Sequence, residues 1–211
     1  EIYMTDLSLE SDAEAKCESL VTEALLTTPD SPSALQTLAS VRISQLKTAD
    51  ARAALSRSLE VWENLPPDDV VVPDFPARIS LTRLLMEVQM ERRAMQVLER
   101  LVVEDDQSVE AWYLGGWCQV LLAEKLGEDE NGNQDKQKGA REWLKNCLRL
   151  YRVIEYEDDR LKDHAMELVA ALNKDLGVEE EGDEEEWQDE STESEGDDIE
   201  ATDGDGDAEM T

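Results

Sequence analysis

The chain has 211 residues, enough for one solenoid or one to two small domains, and carries 52 acidic against 20 basic residues for a net charge of -32. That balance disfavours unassisted binding to nucleic acid or to an anionic membrane surface and points instead to a basic partner. No apolar run approaches the roughly 18 residues a membrane span requires, and the start EIYMTDLSLE lacks the cationic opening of a signal peptide, so the sequence reads as soluble and intracellular.

In chain order, residues 1–12 read as the end of a truncated repeat, which suggests a piece of a longer protein. Cys17, Val21 and Ala24, spaced by four and three, place a small, a large and a small residue on one helical face. TTPDSPS then reads as a turn. Leu35, Leu38 and Ala39 predict a first helix, and Ala51, Leu55 and Ser58 predict its partner with the same small-large-small spacing. The stretch LPPDDVVVPDFP is expected to be a loop, because its only strand-like run lies between prolines. Arg78, Leu81 and Thr82, then Ala94, Leu98 and Leu101, repeat the two-helix pattern.

The next helix, AWYLGGWCQVLL at 111–122, sets Trp112, Gly115 and Gly116 at the corresponding places. Two glycines inside a helix cost roughly 2 kcal/mol relative to alanine, so a close approach by a neighbouring backbone is expected to recover that loss. EDENGNQDKQKG reads as a turn insertion before Ala140, Leu144 and Cys147. Residues 157–176, with Leu161, Ala165, Leu168, Leu172 and Leu176 on one stripe, predict a capping helix. Residues 179–211 hold eighteen acidic residues and no basic one, too little apolar surface to fold alone, and are expected to be a disordered acidic tail. The remaining body keeps 34 acidic and 20 basic residues, so acidity belongs to both parts.

The intervals between these faces establish a repeat. Leu35 to Ala51 and Arg78 to Ala94 are both 16 residues, while Ala24 to Leu35 and Leu101 to Trp112 are both 11, which gives a period of 34. The two departures coincide with the Pro-rich loop and with EDENGNQDKQKG, where turns are expected. This pattern resembles the tetratricopeptide repeat, whose motif runs W-x2-L-G-x2-Y, then A-x3-F, then P. Trp112, Gly116 and Pro29 match; Gly115, Gln119 and Arg78 stand where Leu, Tyr and Trp are usual. The fold expected is all-α: a tetratricopeptide-repeat solenoid over residues 13–178 with its C-terminal capping helix, followed by the tail.

No catalytic constellation is visible. His164 is the only histidine, on the capping helix, and no cysteine or serine has a base partner. Cys17, Cys118 and Cys147 are odd in number and widely separated, which supports neither a disulfide framework nor a zinc site and implies a reducing compartment. The acidic stretches EDENGNQDK and DGDGDAE lack the alternation and closing bidentate Glu of a calcium loop. The reading is non-enzymatic, with no cofactor and no metal.

First helices of such solenoids line the inner groove. In this chain that places Gln36, Ser40, Ile43, Ile79, Arg83, Met86 and Glu87 beside Tyr113, Trp117 and Leu121. Glu87, Glu91 and Glu110, with Asp158 and Asp159 at the cap, would make that surface part apolar and part acidic, suited to a Lys- and Arg-rich segment with apolar anchors. The tail could screen or recruit the same partner, and Thr192, Ser194 and Thr202 each precede an acidic residue by three positions, the pattern acidophilic kinases use.

AWYLGGWC at 111–118, AREWLKNCLRLY at 140–151 and YEDDRLKDHAMELV at 156–169, followed by the acidic tail, resemble the fungal tetratricopeptide-repeat assembly chaperones of large-subunit ribosomal protein uL4. The resemblance implies a dedicated chaperone that captures uL4 by its long internal loop, keeps it soluble and escorts it from cytoplasm to nucleus. A histone chaperone or other acidic nuclear escort shares the polyanion and is an alternative. A co-chaperone scaffold for acidic C-terminal tails is a third, and would need a basic clamp for which the first helices offer mainly Arg42, Arg78 and Arg83.

Overall fold

The computed structural model describes residues 12–126 and 130–178, with side chains in the long helix before the cap described from 133 onward. The expected tail, with Thr192, Ser194 and Thr202, lies outside the described residues. Among those described, every regular element is an α-helix: α1 (Ala13–Thr27), α2 (Pro32–Ser44), α3 (Thr48–Trp62), α4 (Phe75–Glu87), α5 (Glu91–Glu104), α6 (Val109–Leu126), α7 (Glu130–Val153) and α8 (Asp159–Leu176).

Local chemistry sets the starts. Ser31 caps α2 by accepting from the Ala34 N–H, Pro32 fills the first helical position, and Asp74 caps α4 in the same way at 2.9 Å from the Ala77 nitrogen. α2 pairs with α3, α4 with α5 and α6 with α7; α1 packs on α2, and α8 closes the far end against α7. This is the tetratricopeptide-repeat architecture that the 34-residue period predicts. Ala51, Leu55, Ser58, Ala94, Leu98, Leu101, Ala140, Leu144 and Cys147 are all fully buried. At the start of the stack Ala24 is exposed and Cys17 half-buried, since no described helix precedes α1.

The turns that follow α2, α4 and α7 are closed without glycine. Leu46, Gln89 and Glu155 adopt left-handed φ of 59°, 62° and 53°. At each, the following N–H reaches back to the last helical turn: Lys47 to Arg42, Met90 to Leu85 and Tyr156 to Tyr151. The Pro-rich segment before α4 is a loop, as expected, held by Arg100, whose guanidinium donates to the Glu63 and Leu65 carbonyls while stacking on the Trp62 ring.

Two expectations need correction. EDENGNQDKQKG is not all turn: α7 begins at Glu130, so most of the insertion continues a helix to which its Gly- and Asn-rich composition gave no clue. The close approach at the glycines is made largely by side chains. The Trp143 ring lies over Gly115, and Leu144 and the Ala140 carbonyl lie against Gly116. Trp143 also meets Trp112 at 4.8 Å between ring centroids, so the tetratricopeptide-type Trp packs on the partner helix.

Arg78, in the other Trp place, is 2% exposed. Its stem fills the space, and its two terminal nitrogens donate to the Glu104 carboxylate at 2.8 and 2.7 Å. α4 forms despite the missing aromatic.

Candidate functional site

A groove of about 570 Å³ opens between α4, α6 and α8. Met86, Leu114 and Leu161 lie at its base, Tyr113, Trp117 and Leu121 stand half-buried along it, and Arg83, Glu87, Asp158 and Arg160 form a charged rim. Seven of the residues expected on the inner surface therefore meet here: Arg83, Met86, Glu87, Tyr113, Trp117, Leu121 and Asp158. Period 3.6 explains the set, because Tyr113, Trp117 and Leu121 recur every four residues on α6.

The aromatic part is built from two distant stretches. Tyr113 and Trp117 are 5.9 Å apart by ring centroid, and His164 from α8 meets both edge-on, at 5.8 and 5.2 Å. The Tyr113 hydroxyl lies 2.7 Å from His164 Nδ1. Burial holds the Tyr113 phenol above its ordinary value. His164 is the functional-region residue that sequence reasoning left aside as a cap residue; the 51 positions between it and Tyr113 hide the contact.

The rim is electrically mixed. Arg83 pairs with Glu110, which is half-buried beside it. Asp158 caps α8 by accepting from the Leu161 N–H at 3.1 Å, and Glu87 is exposed with no ion pair among the described residues. Asp159 accepts from the Tyr151 hydroxyl and stands outside the groove.

Other expected groove residues lie elsewhere. Ile79 is 4% exposed and belongs to the core cluster rather than to the groove. Glu91 is 4% exposed on a different face, where the Lys125 ammonium donates to both its oxygens at 2.7 and 2.6 Å. It starts the second helix of its pair, which does not line the inner surface. Gln36 donates to the Ala77 carbonyl and so ties α2 to α4, Ser40 is half-buried on α2, and Ile43 packs on the core.

Among the described residues no group of three or more His, Cys, Asp or Glu side chains is placed to hold a metal ion, and no helix is long and apolar enough to cross a membrane. Burial pushes the Cys118 and Cys147 thiols up to about 12, leaving almost no thiolate near neutral pH. Iodoacetamide should therefore alkylate half-exposed Cys17 in the native protein and reach Cys118 and Cys147 only after unfolding, as read by mass spectrometry of the modified peptides. Native modification of either buried thiol would contradict their packing.

No protein-family model matches the chain. A curated protein of Emericella nidulans described as a probable assembly chaperone of rpl4 is 58% identical, with 88% of this chain and 54% of that protein aligned. A Schizosaccharomyces pombe protein of the same description is 40% identical, covering 89% of this chain and 58% of its own length. A solved structure titled as an assembly chaperone of RpL4, residues 1–338, is 57% identical and superposes with a TM-score of 0.59 over 60% of this chain and 45% of that one. The chain thus spans about half the length of the curated relatives it matches. In sequence over most of its length, and in helical-repeat structure over 60% of it, the chain is similar to these fungal assembly chaperones, the resemblance that its motifs from 111 to 169 imply.

Proposed function

We propose that this chain is the helical-repeat part of a dedicated, non-enzymatic chaperone that binds ribosomal protein uL4. The 58% identity to a protein described as a probable assembly chaperone of rpl4 is the observation that carries the reading. The groove supports it: Tyr113, Trp117 and Leu121 offer an apolar strip for anchors, and Glu87 and Asp158 offer carboxylates for cationic neighbours. A basic ribosomal protein away from RNA carries unneutralised charge, and a chain at -32 attracts it over distance. The acidic residues of 179–211 add to that attraction, and escort between cytoplasm and nucleus belongs to the same proposal.

The test is binding of purified uL4, or of its basic internal loop as a peptide, followed by calorimetry and stopped-flow fluorescence. Trp117→Ala should weaken binding at least tenfold, chiefly through faster dissociation and with little dependence on salt. Glu87→Lys, on an exposed residue, should slow association at low salt and lose its effect as ionic strength shortens the Debye length. Unchanged affinity of a folded Trp117→Ala protein would reject the groove. Preferential recovery of histones from cell extract would favour the acidic-escort alternative.

A further inference from the structure

A second cleft runs along α5, on residues that share nothing with the Trp117 groove. Its larger part, about 640 Å³, lies between the α4–α5 turn, α5, the end of α6 and α7. Its smaller part, about 280 Å³, lies between the end of α3 and α5. Arg93 and Gln96 line both, so the two are continuous.

The cleft holds more cations than carboxylates, unlike the chain as a whole: Glu63, Glu91 and exposed Glu99 line it beside five basic residues. Met90, Met95, Leu122 and Leu126 give the larger part an aliphatic floor, with Leu126 38% exposed. Five of the 20 basic residues line the combined cleft: Arg92, Arg93, Arg100, Lys125 and Lys136. Three are engaged, Arg93 with Glu63, Lys125 with Glu91 and Arg100 with loop carbonyls. Arg92 and Lys136 are exposed and have no ion pair or hydrogen bond among the described residues. In the smaller part the indole N–H of Trp62, itself 1% exposed, is buried without an acceptor. A buried donor left unpaired costs on the order of 1–3 kcal/mol.

From this geometry we infer that the α5 cleft is a second docking site, for an acidic peptide segment of a partner protein, whose carboxylates meet Arg92 and Lys136 while an apolar side chain rests on Met90, Met95, Leu122 and Leu126. The chain's overall negative charge does not forbid this. At about 0.1 M salt the Debye length is roughly 10 Å, so a short peptide in the cleft feels the nearby cations more than the distant carboxylates. A nucleic-acid ligand fits less well, because sequence-tolerant binding of single strands uses exposed aromatic faces and this floor is aliphatic.

The test uses the full chain and a fluorophore-labelled glutamate-rich peptide with one central leucine, read by anisotropy at about 0.1 M salt. Saturable binding is expected. The double variant Arg92→Glu with Lys136→Glu, on two exposed residues with no ion pair among the described residues, should weaken it about tenfold without changing the helical signal, and Trp117→Ala should leave it unchanged. No saturable binding, or an affinity indifferent to the double reversal, overturns the proposal. Displacement by polyuridylate at lower concentration than by unlabelled peptide would reassign the cleft to nucleic acid. A concentration-dependent dimer abolished by the double reversal would reassign it to a second copy of the chain.

Discussion

Glu104→Ala is expected to lower stability by about 2–3 kcal/mol, although Glu104 lies near the surface. The change strands the Arg78 guanidinium, 2% exposed, without the carboxylate that accepts from both its terminal nitrogens. Breaking a buried pair from one side costs more than replacing it, because the remaining charge stays desolvated. Arg78→Met should consequently cost under about 1 kcal/mol, since Met fills much of the stem's volume and Glu104, 32% exposed, can hydrate. Urea unfolding followed by far-ultraviolet circular dichroism would rank the two. The reverse order would refute this account of the pair.

The pair also sets a pH dependence. The hydrogen bonds from Arg78 hold the Glu104 carboxyl below its ordinary value. A lowered folded-state value means that the stabilisation is complete above the ordinary glutamate range and is lost as pH falls through the lowered one. The gap between the native chain and Glu104→Gln should therefore close on acidification.

Gly116→Ala should cost about 2 kcal/mol, opposite in sign to helix propensity, which alone would favour alanine by about 1 kcal/mol. An added Cβ would sit 2.8 Å from Leu144 Cδ2 and 3.2 Å from the Ala140 carbonyl oxygen. Neither can withdraw: Leu144 is fully buried and the carbonyl is helix backbone. A stabilised Gly116→Ala protein would show that α6 and α7 have room to separate.

These two sites mark what the sequence makes readable. Ala51 and Ala94 announce the repeat because close helix approach admits only small residues, and each stands 16 residues after the matching first-helix position, Leu35 and Arg78. The Tyr113 and Trp117 strip is readable from period alone. Arg78 and Glu91 are not, since a charged residue reads as solvent-facing until its partner, Glu104 or Lys125, is brought near by the fold. The same blindness hides His164 and sends Glu91 to the wrong face. Composition misleads at α7, where ENGNQDKQKG has the residues of a turn yet extends a helix whose later turns are anchored by Ala140 and Leu144. Left-handed backbone at Leu46, Gln89 and Glu155 leaves no glycine to betray it.

The bond between the Tyr113 hydroxyl and His164 joins the wall of the Trp117 groove to α8. Any guest that grips Trp117 more firmly when α8 is seated must, by thermodynamic reciprocity, seat α8 more firmly in return. α8 is then as much a latch as a lid on the core, and its fraying would be felt by the guest before any repeat unfolded.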